Sequence, residues 1–322
     1  MATHTGAVDP LRSMLRAARE YGIVWVTVVL FVVLSFASDV FLSQTNLLNV
    51  LNQQSTVLIV AAAMTLTLIA GGFDVSLSAV YLLGGVTALR VENDTGSIAL
   101  GVAACLLIGL SAGAFNGFAS TVLRINSFIA TLATSFIYFG LAFVISERSV
   151  MRPADPGFSQ IARYRILDVA LASWIAIAVV VVLWVVLDRT RFGRHVYAVG
   201  GNPEAARLAG VRVQLVQFAT FAIGGASAAL AGLLVASRTS TAQASDDFSF
   251  VFGVIAAVVV GGTSIRGGEG AVWRSVLGAF FIAFMVNGFN LLGFDPVYQR
   301  IVIGLIILGA VAIDALSRAR ST

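Results

Sequence analysis

The chain has 322 residues, of which 58% are hydrophobic and 11% are charged, and its mean hydropathy is +0.94. A soluble domain carries about 25% charged residues, so this composition excludes a protein solvated mainly by water. All twenty basic residues are arginines that lie between apolar runs rather than in one patch, which argues against nucleic-acid binding. A single cysteine, Cys105, excludes an intramolecular disulfide, and the two histidines suit no metal-ligand cluster, so we expect no metal.

Ten segments are apolar enough to cross a membrane, because a helix of about 20 mostly apolar residues spans the lipid and satisfies its own backbone. They are 21–37, 47–70, 75–90, 98–120, 126–146, 169–187, 213–236, 248–262, 271–292 and 297–313. The predicted fold is all-α: a polytopic membrane protein of about ten transmembrane helices.

The charges predict that both termini are cytoplasmic. Arg12, Arg16 and Arg19 hold segment 1–20 inside, residues 21–314 form a single transmembrane domain, and segment 315–322 is a cytoplasmic tail. Thirteen of the twenty arginines then fall inside, and seven fall outside: Arg90, Arg148, Arg152, Arg163, Arg165, Arg238 and Arg300. The alternative for the N-terminus is a signal peptide cleaved after Ser35-Phe36-Ala37, which leaves it open whether the first helix is retained.

The longest inner loop, 188–212, predicts its own short helix. Asn202 suits the N-cap and Pro203 the first helical position, while Glu204 and Arg207 match the helix dipole. Gly210 can close the helix in the left-handed conformation. A capped polar helix held in water between two spans is typical of a docking element. The alternative is an ordinary positively charged loop.

Two glycine-rich reversals are predicted on the inner face, at Gly71-Gly72 and at Gly261-Gly262. Their likeness suggests a duplicated pair of helices, as transporters often have. Asp74 follows the first reversal and is interpreted as the N-cap of a helix that begins at Val75, with a functional intramembrane acid as the alternative.

Polar residues within the predicted spans are candidates for lining a translocation path, since such side chains usually face the bundle interior. They are Asn52, Gln53, Asn116, Thr131, Thr134, Asn287 and Asn290. The alternative for each is a hydrogen bond between helices.

Several stretches resemble one family when they are taken in order. They are GGFDVSLSAV (71–80), GAFNGF (113–118), SFIATLATSFIYFGLA (127–142), TRFGRHVYAVGGNPEAARLAGV (190–211), LAGLLVASR (230–238), IAAVVVGGTSIRGGEGAVWRSVLGA (255–279) and NGFNLLG (287–293). Together they resemble the permeases of bacterial ATP-binding-cassette importers for ribose, xylose, arabinose and related sugars.

That resemblance implies a homodimeric permease in the bacterial cytoplasmic (inner) membrane, with no catalytic residues of its own. A periplasmic or extracellular solute-binding protein would deliver the sugar, and a cytoplasmic ATPase that uses ATP and Mg would drive alternating access. By the same resemblance one segment would form the coupling helix that seats on the ATPase. That segment consists of Gly200, Gly201, Asn202, Pro203, Glu204, Ala205, Ala206, Arg207, Leu208, Ala209 and Gly210.

The chain departs from the family pattern at a few positions. Ser78 stands where a glycine is usual, Val251 and Gly253 stand where acids are often found, and Arg266 and Glu269 replace commoner small or basic residues. The difference at 251–253 lies near the outer half of a span and bears on the identity of the solute more than on the mechanism. A branched-chain amino-acid or nucleoside permease is an alternative, since related permeases carry these solutes, but the loop 190–211 as it stands resembles that of sugar permeases. A secondary transporter and a membrane enzyme or scaffold are further alternatives, although the sequence offers neither a coupling-ion site nor a nucleophile–base pair.

Overall fold

The computed structural model describes the backbone of residues 10–319, and side chains for residues 22–306, 308, 309 and 312. This part of the chain forms thirteen α-helices. They are α1 (Pro10–Ala37), α2 (Gln44–Ile69), α3 (Leu77–Thr95), α4 (Ile98–Thr121), α5 (Ser127–Ile145), α6 (Gln160–Arg163), α7 (Leu171–Arg189), α8 (Arg191–Gly201), α9 (Pro203–Leu208), α10 (Val213–Thr239), α11 (Ser249–Val260), α12 (Val272–Leu291) and α13 (Pro296–Ala319).

Each of the ten predicted segments coincides with one of these helices. Among the described residues, six helices are long and apolar enough to cross a membrane: α2, α4, α5, α7, α10 and α12. The apolar parts of α1, α11 and α13 are shorter. The helical membrane fold is thus confirmed, whereas ten crossings and the placement of the termini stay predictions. Helix α1 already includes residues 10–20 and α13 extends to Ala319, while residues 1–9 and 320–322 of the predicted terminal segments lie outside the described residues.

Small residues allow α10 to pack tightly against α3 and α4. A Cβ built on Gly113 or on Gly225 would overlap backbone atoms of the facing helix, and one built on Gly232 would overlap the carbonyl oxygen of Tyr81. Contacts of this kind bring helix backbones together where no hydrophobic effect drives association within lipid. The three helices therefore form a tightly packed unit, against which α2 also lies with most of its inner half buried.

The segment 146–170, predicted to lie outside, is not helical throughout, although the described chain as a whole has the predicted all-α fold. It holds a short 3₁₀ turn, Pro156–Ser159, then α6 and an antiparallel hairpin of β1 (Arg165–Ile166) and β2 (Val169–Ala170). Leu167 and Asp168 form the two-residue turn with positive φ angles, as such hairpins require. The fully buried carboxylate of Glu92 holds this segment by accepting the backbone N–H groups of residues 154 and 155 at 3.1 and 2.7 Å.

The two inner reversals close in the same way. Gly71 and Gly262 both have positive φ, at 80° and 82°. In each turn the next residue donates its N–H to a carbonyl five residues earlier: Gly72 to Thr67 and Thr263 to Val258. This is the Schellman closure of a helix C-terminus. The matching geometry supports the predicted duplication of a helix pair.

Candidate functional site

The loop 188–212, predicted to be cytoplasmic, contains two helices that are separated by the extended backbone of Asn202. Asn202 ends α8 and caps α9, with its side-chain oxygen accepting the N–H of Ala205 at 3.0 Å. Pro203 is the first residue of α9, and Gly210 follows the helix with a φ of +83°. The predicted short helix and both of its end signals are confirmed. Gly200 and Gly201 belong to α8, so the predicted continuous segment 200–210 is corrected to the end of one helix and the whole of the next.

Helix α9 is exposed on nearly every side. Glu204 and Arg207 form an ion pair, but both side chains are about two-thirds exposed, so the pair adds little stability. The apolar side chain of Leu208 is 82% exposed. Beside the helix lies an open cleft of about 640 Å³ that is lined by Arg124, Arg207 and Arg212 among others.

The end of α8 is in direct contact with the end of α2 and with segment 267–270. We call this contact the glycine junction; it consists of Ile69, Gly200, Gly267 and Gly268. Gly268 donates its N–H to the carbonyl oxygen of Ile69 at 2.9 Å. A Cβ built on Gly200 would overlap that same oxygen and would lie 2.6 Å from the nitrogen of Gly268. The chains can approach this closely only because no side chain intervenes.

A side-chain hydrogen bond from Tyr197 also links α8 to the segment next to the glycine junction. Its hydroxyl donates to the carbonyl oxygen of Gly270 at 2.9 Å. Burial, and secondarily the nearby Asp188 carboxylate, raise the pKa of Tyr197, so the phenol stays neutral and remains a donor. Helix α8 is therefore tied both to the end of α2 at Ile69 and to the segment that precedes α12.

Three predicted path residues hold the extended segment 72–76 between α2 and α3. Thr131 accepts the N–H of Val75 at 3.1 Å, and Asn116 donates to the hydroxyl of Ser76 at 2.6 Å. Thr134 in turn donates to the amide oxygen of Asn116 at 2.7 Å. All three side chains are buried within the protein. Thr131 satisfies backbone that lacks helical partners, whereas Asn116 and Thr134 form a side-chain network that ends on the Ser76 hydroxyl.

Asp74 lies inside this network, and its predicted role as a cap at Val75 is wrong in detail. Helix α3 begins at Leu77, with Ser76 at the N-cap position. One carboxylate oxygen of Asp74 accepts both the N–H and the hydroxyl of Ser76, at 2.9 and 2.6 Å. Asp74 therefore shapes the turn before the helix instead of capping its first residue.

The remaining predicted path residues lie elsewhere, so the set does not form one cluster. Asn287 pairs reciprocally with Asn46 across α2 and α12, and Asn290 accepts a hydrogen bond from Gln299 of α13. Gln53 is exposed, and Asn52 accepts a hydrogen bond from Arg238 through its backbone carbonyl.

Replacing Thr131 with valine is expected to lower the free energy of unfolding by about 1–2 kcal/mol, because the buried N–H of Val75 loses its acceptor while side-chain shape is kept. Thermal denaturation of the purified protein in detergent measures this loss. Thr45→Val is the matched control, since Thr45 is exposed in the first turn of α2. Equal midpoints for the two variants would contradict a supporting role for Thr131.

Comparison with known proteins identifies the type of molecule. Residues 46–311 match the family described as the permease component of branched-chain amino acid transport systems. The chain belongs to this family. It is 37% identical to the ribose import permease of Haemophilus influenzae over 294 residues, which cover 89% of this chain and 90% of the relative.

Two further relatives extend nearly from end to end. The L-arabinose transport system permease of Escherichia coli (strain K12) is 36% identical over 96% of this chain and 94% of its own length. The galactose/methyl galactoside import permease of Salmonella typhimurium is 34% identical over 96% of this chain and 98% of its own length. No solved structure matches. Membership of the family and the apolar helices make the chain a multi-pass membrane transport component rather than an enzyme.

Three residues have structural roles that the sequence pattern does not reveal. They are Glu92, Tyr197 and the partly buried side chain of Arg238. Only the acid at position 92 carried a usable signal, because it lies within the continuous helical pattern of α3, where a buried charge requires a partner. The contacts of Tyr197 and Arg238 join residues 73 and 186 positions apart, respectively.

Proposed function

We propose that this chain is the permease subunit of an ATP-binding-cassette importer that carries a sugar into the cytoplasm. It spans the bacterial cytoplasmic (inner) membrane about ten times with both termini inside, and two copies form a homodimer around the path. A periplasmic or extracellular binding protein delivers the sugar, and a separate cytoplasmic ATPase uses ATP and Mg. The observation that carries the proposal is the capped, exposed helix α9 in a chain whose relatives are named as sugar import permeases.

Helix α9 is suited to dock on another protein. Its fixed caps make a rigid six-residue element, and the exposed Leu208 offers an apolar anchor beside the arginines of the cleft. Since α9 follows α8 directly, force on α9 reaches the glycine junction and hence α2 and α12. In this mechanism ATP binding closes the ATPase pair, pushes on α8 and α9, and opens the path outward by a rigid-body movement. Hydrolysis resets it.

A sugar is favoured over a branched-chain amino acid because the three relatives cited above are named for ribose, arabinose and galactose. A secondary transporter is disfavoured by what the buried acids do. Glu92 binds two backbone N–H groups, and one oxygen of Asp74 accepts from Ser76 while its other oxygen has no hydrogen-bond partner. Among the described residues no group of three or more acids, histidines or cysteines could hold a coupling ion.

The deciding experiment purifies the tagged permease from its native membrane in mild detergent and identifies the bound proteins by mass. We expect a nucleotide-hydrolysing subunit in stoichiometric amount. Reconstitution of that complex in vesicles with its binding protein should give uptake of ribose, arabinose or galactose that requires ATP. Recovery of the chain alone, with uptake driven by an ion gradient, would instead establish a secondary transporter.

A further inference from the structure

Arg238 is a charged residue within the membrane-spanning helix α10, in its last turn, and its side chain is largely buried. One guanidinium nitrogen donates to the backbone carbonyl of Asn52 at 2.7 Å. No carboxylate of the described residues forms an ion pair with it. A charged side chain within a membrane domain is costly, so such a residue is a candidate for binding a transported solute.

The surroundings of Arg238 include one acceptor that lacks a partner. The side-chain oxygen of Asn52 is buried and accepts no hydrogen bond. Asn52 lies eight residues after the start of α2, or about 12 Å inward from the outer end of that helix. An unpaired buried acceptor costs free energy, so a ligand that brings a donor to it gains affinity.

An aromatic pair completes the group. The rings of Tyr81 and Phe250 stack with their centroids 4.2 Å apart, and Tyr81 lies within electrostatic range of Arg238. Four helices therefore contribute to one place: α2, α3, α10 and α11. The outer segment covers it, because Ser237, next to Arg238, bonds the carbonyl of Phe158 and the N–H of Ala162.

From this arrangement we propose that Arg238, Asn52 and the Tyr81–Phe250 pair form a sugar-binding subsite in the outer half of the path; the proposal rests on the proposed function. A sugar hydroxyl can accept from the guanidinium and donate to the Asn52 oxygen at the same time. An ionised carboxylate could take the first bond but not the second, since it has no proton to give. A neutral polyhydroxylated solute forms both bonds through its hydroxyl groups, can place its apolar face against the aromatic pair, and is the solute class for which the relatives are named.

The test compares reconstituted importers for uptake of whichever of ribose, arabinose and galactose the wild type accepts, and of singly deoxygenated analogues of that sugar. With one binding protein throughout, its own selectivity cancels in the comparison of variants. We expect the wild type to discriminate against one analogue by about fivefold in kcat/KM. Asn52→Leu should abolish this discrimination, and Asn52→Asp, which keeps an acceptor oxygen, should retain it.

Arg238→Lys provides a second variant, on a different helix, that keeps the charge but loses the planar fork; it should raise the KM for the full sugar and weaken discrimination. Asn49→Leu, on an exposed position one turn outward on α2, is the control. Uptake by the wild type with discrimination unchanged in Asn52→Leu and Arg238→Lys would overturn the subsite alone. An equal loss for every sugar in both variants would indicate a structural role and would also overturn it. No ATP-dependent uptake of any sugar by the wild type would overturn the proposed function itself.

Discussion

Replacing Gly200 with alanine is expected to destabilise the protein by about 3 kcal/mol, because the new methyl group would overlap the carbonyl oxygen of Ile69. The contact cannot relax by a side-chain rotation, because the opposing atoms belong to the backbone at the end of α2 and in segment 267–270. The loss should appear as a lower thermal midpoint of the purified permease and as weaker retention of its ATPase.

The neighbouring glycine is an unusually close control. A Cβ built on Gly201 meets nothing within 4 Å, although both residues lie in the last turn of α8. Gly201→Ala should therefore change the free energy of unfolding by less than about 1 kcal/mol. Because alanine has a higher helix propensity than glycine, we expect the change to be stabilising. If the two alanine variants denature at the same temperature, the glycine junction is not a tight contact.

Disrupting the end of α9 is expected to uncouple ATP hydrolysis from transport. Gly210 has a φ of +83° and donates its N–H to the carbonyl of Arg207, and proline can do neither. Gly210→Pro should reduce ATP-driven uptake at least about tenfold, which corresponds to losing about 1.4 kcal/mol of docking free energy. Arg207→Glu should act similarly, because it places two acids side by side and reverses the charge that the helix offers to the cleft.

Uptake and ATP hydrolysis are measured on the same vesicles, with the amount of permease in the membrane matched between samples. Arg165→Glu makes the same charge change in the outer hairpin, away from α9, and should leave uptake close to that of the wild type. Unchanged uptake in both α9 variants at matched protein levels would remove the coupling role from this helix.

Local signals in the sequence predict the helices and their ends well. Asn202, Pro203 and Gly210 act through bonds to residues at most four positions away, so their roles can be read directly from the sequence. The same is true of Gly71 and Gly262. Where the start of α3 was misplaced by two residues, the cause is tertiary: hydroxyls of α5 satisfy the backbone at Phe73 and Val75, so helix formation is delayed to Leu77.

The candidate site was less predictable because its contacts are distant in sequence. A membrane helix surrounded by other helices shows no apolar stripe, so its pattern does not reveal which neighbour it faces. Asn116 and Thr134 could thus be identified as interior polar residues but not as partners of each other. Arg238 follows an apolar run directly, and only the fold shows that the helix continues past it to Thr239.

The close packing of α10 against α3 and α4 has a mechanical consequence. Where backbones touch, two helices have no layer of side chains that could slide or change rotamer, so relative displacement of even a fraction of an ångström causes overlap. In the proposed transport cycle these helices therefore do not slide past one another. We expect movement to be concentrated where longer side chains separate the helices. Helices α3, α4 and α10 would then move together, as one rigid unit, relative to the rest of the bundle.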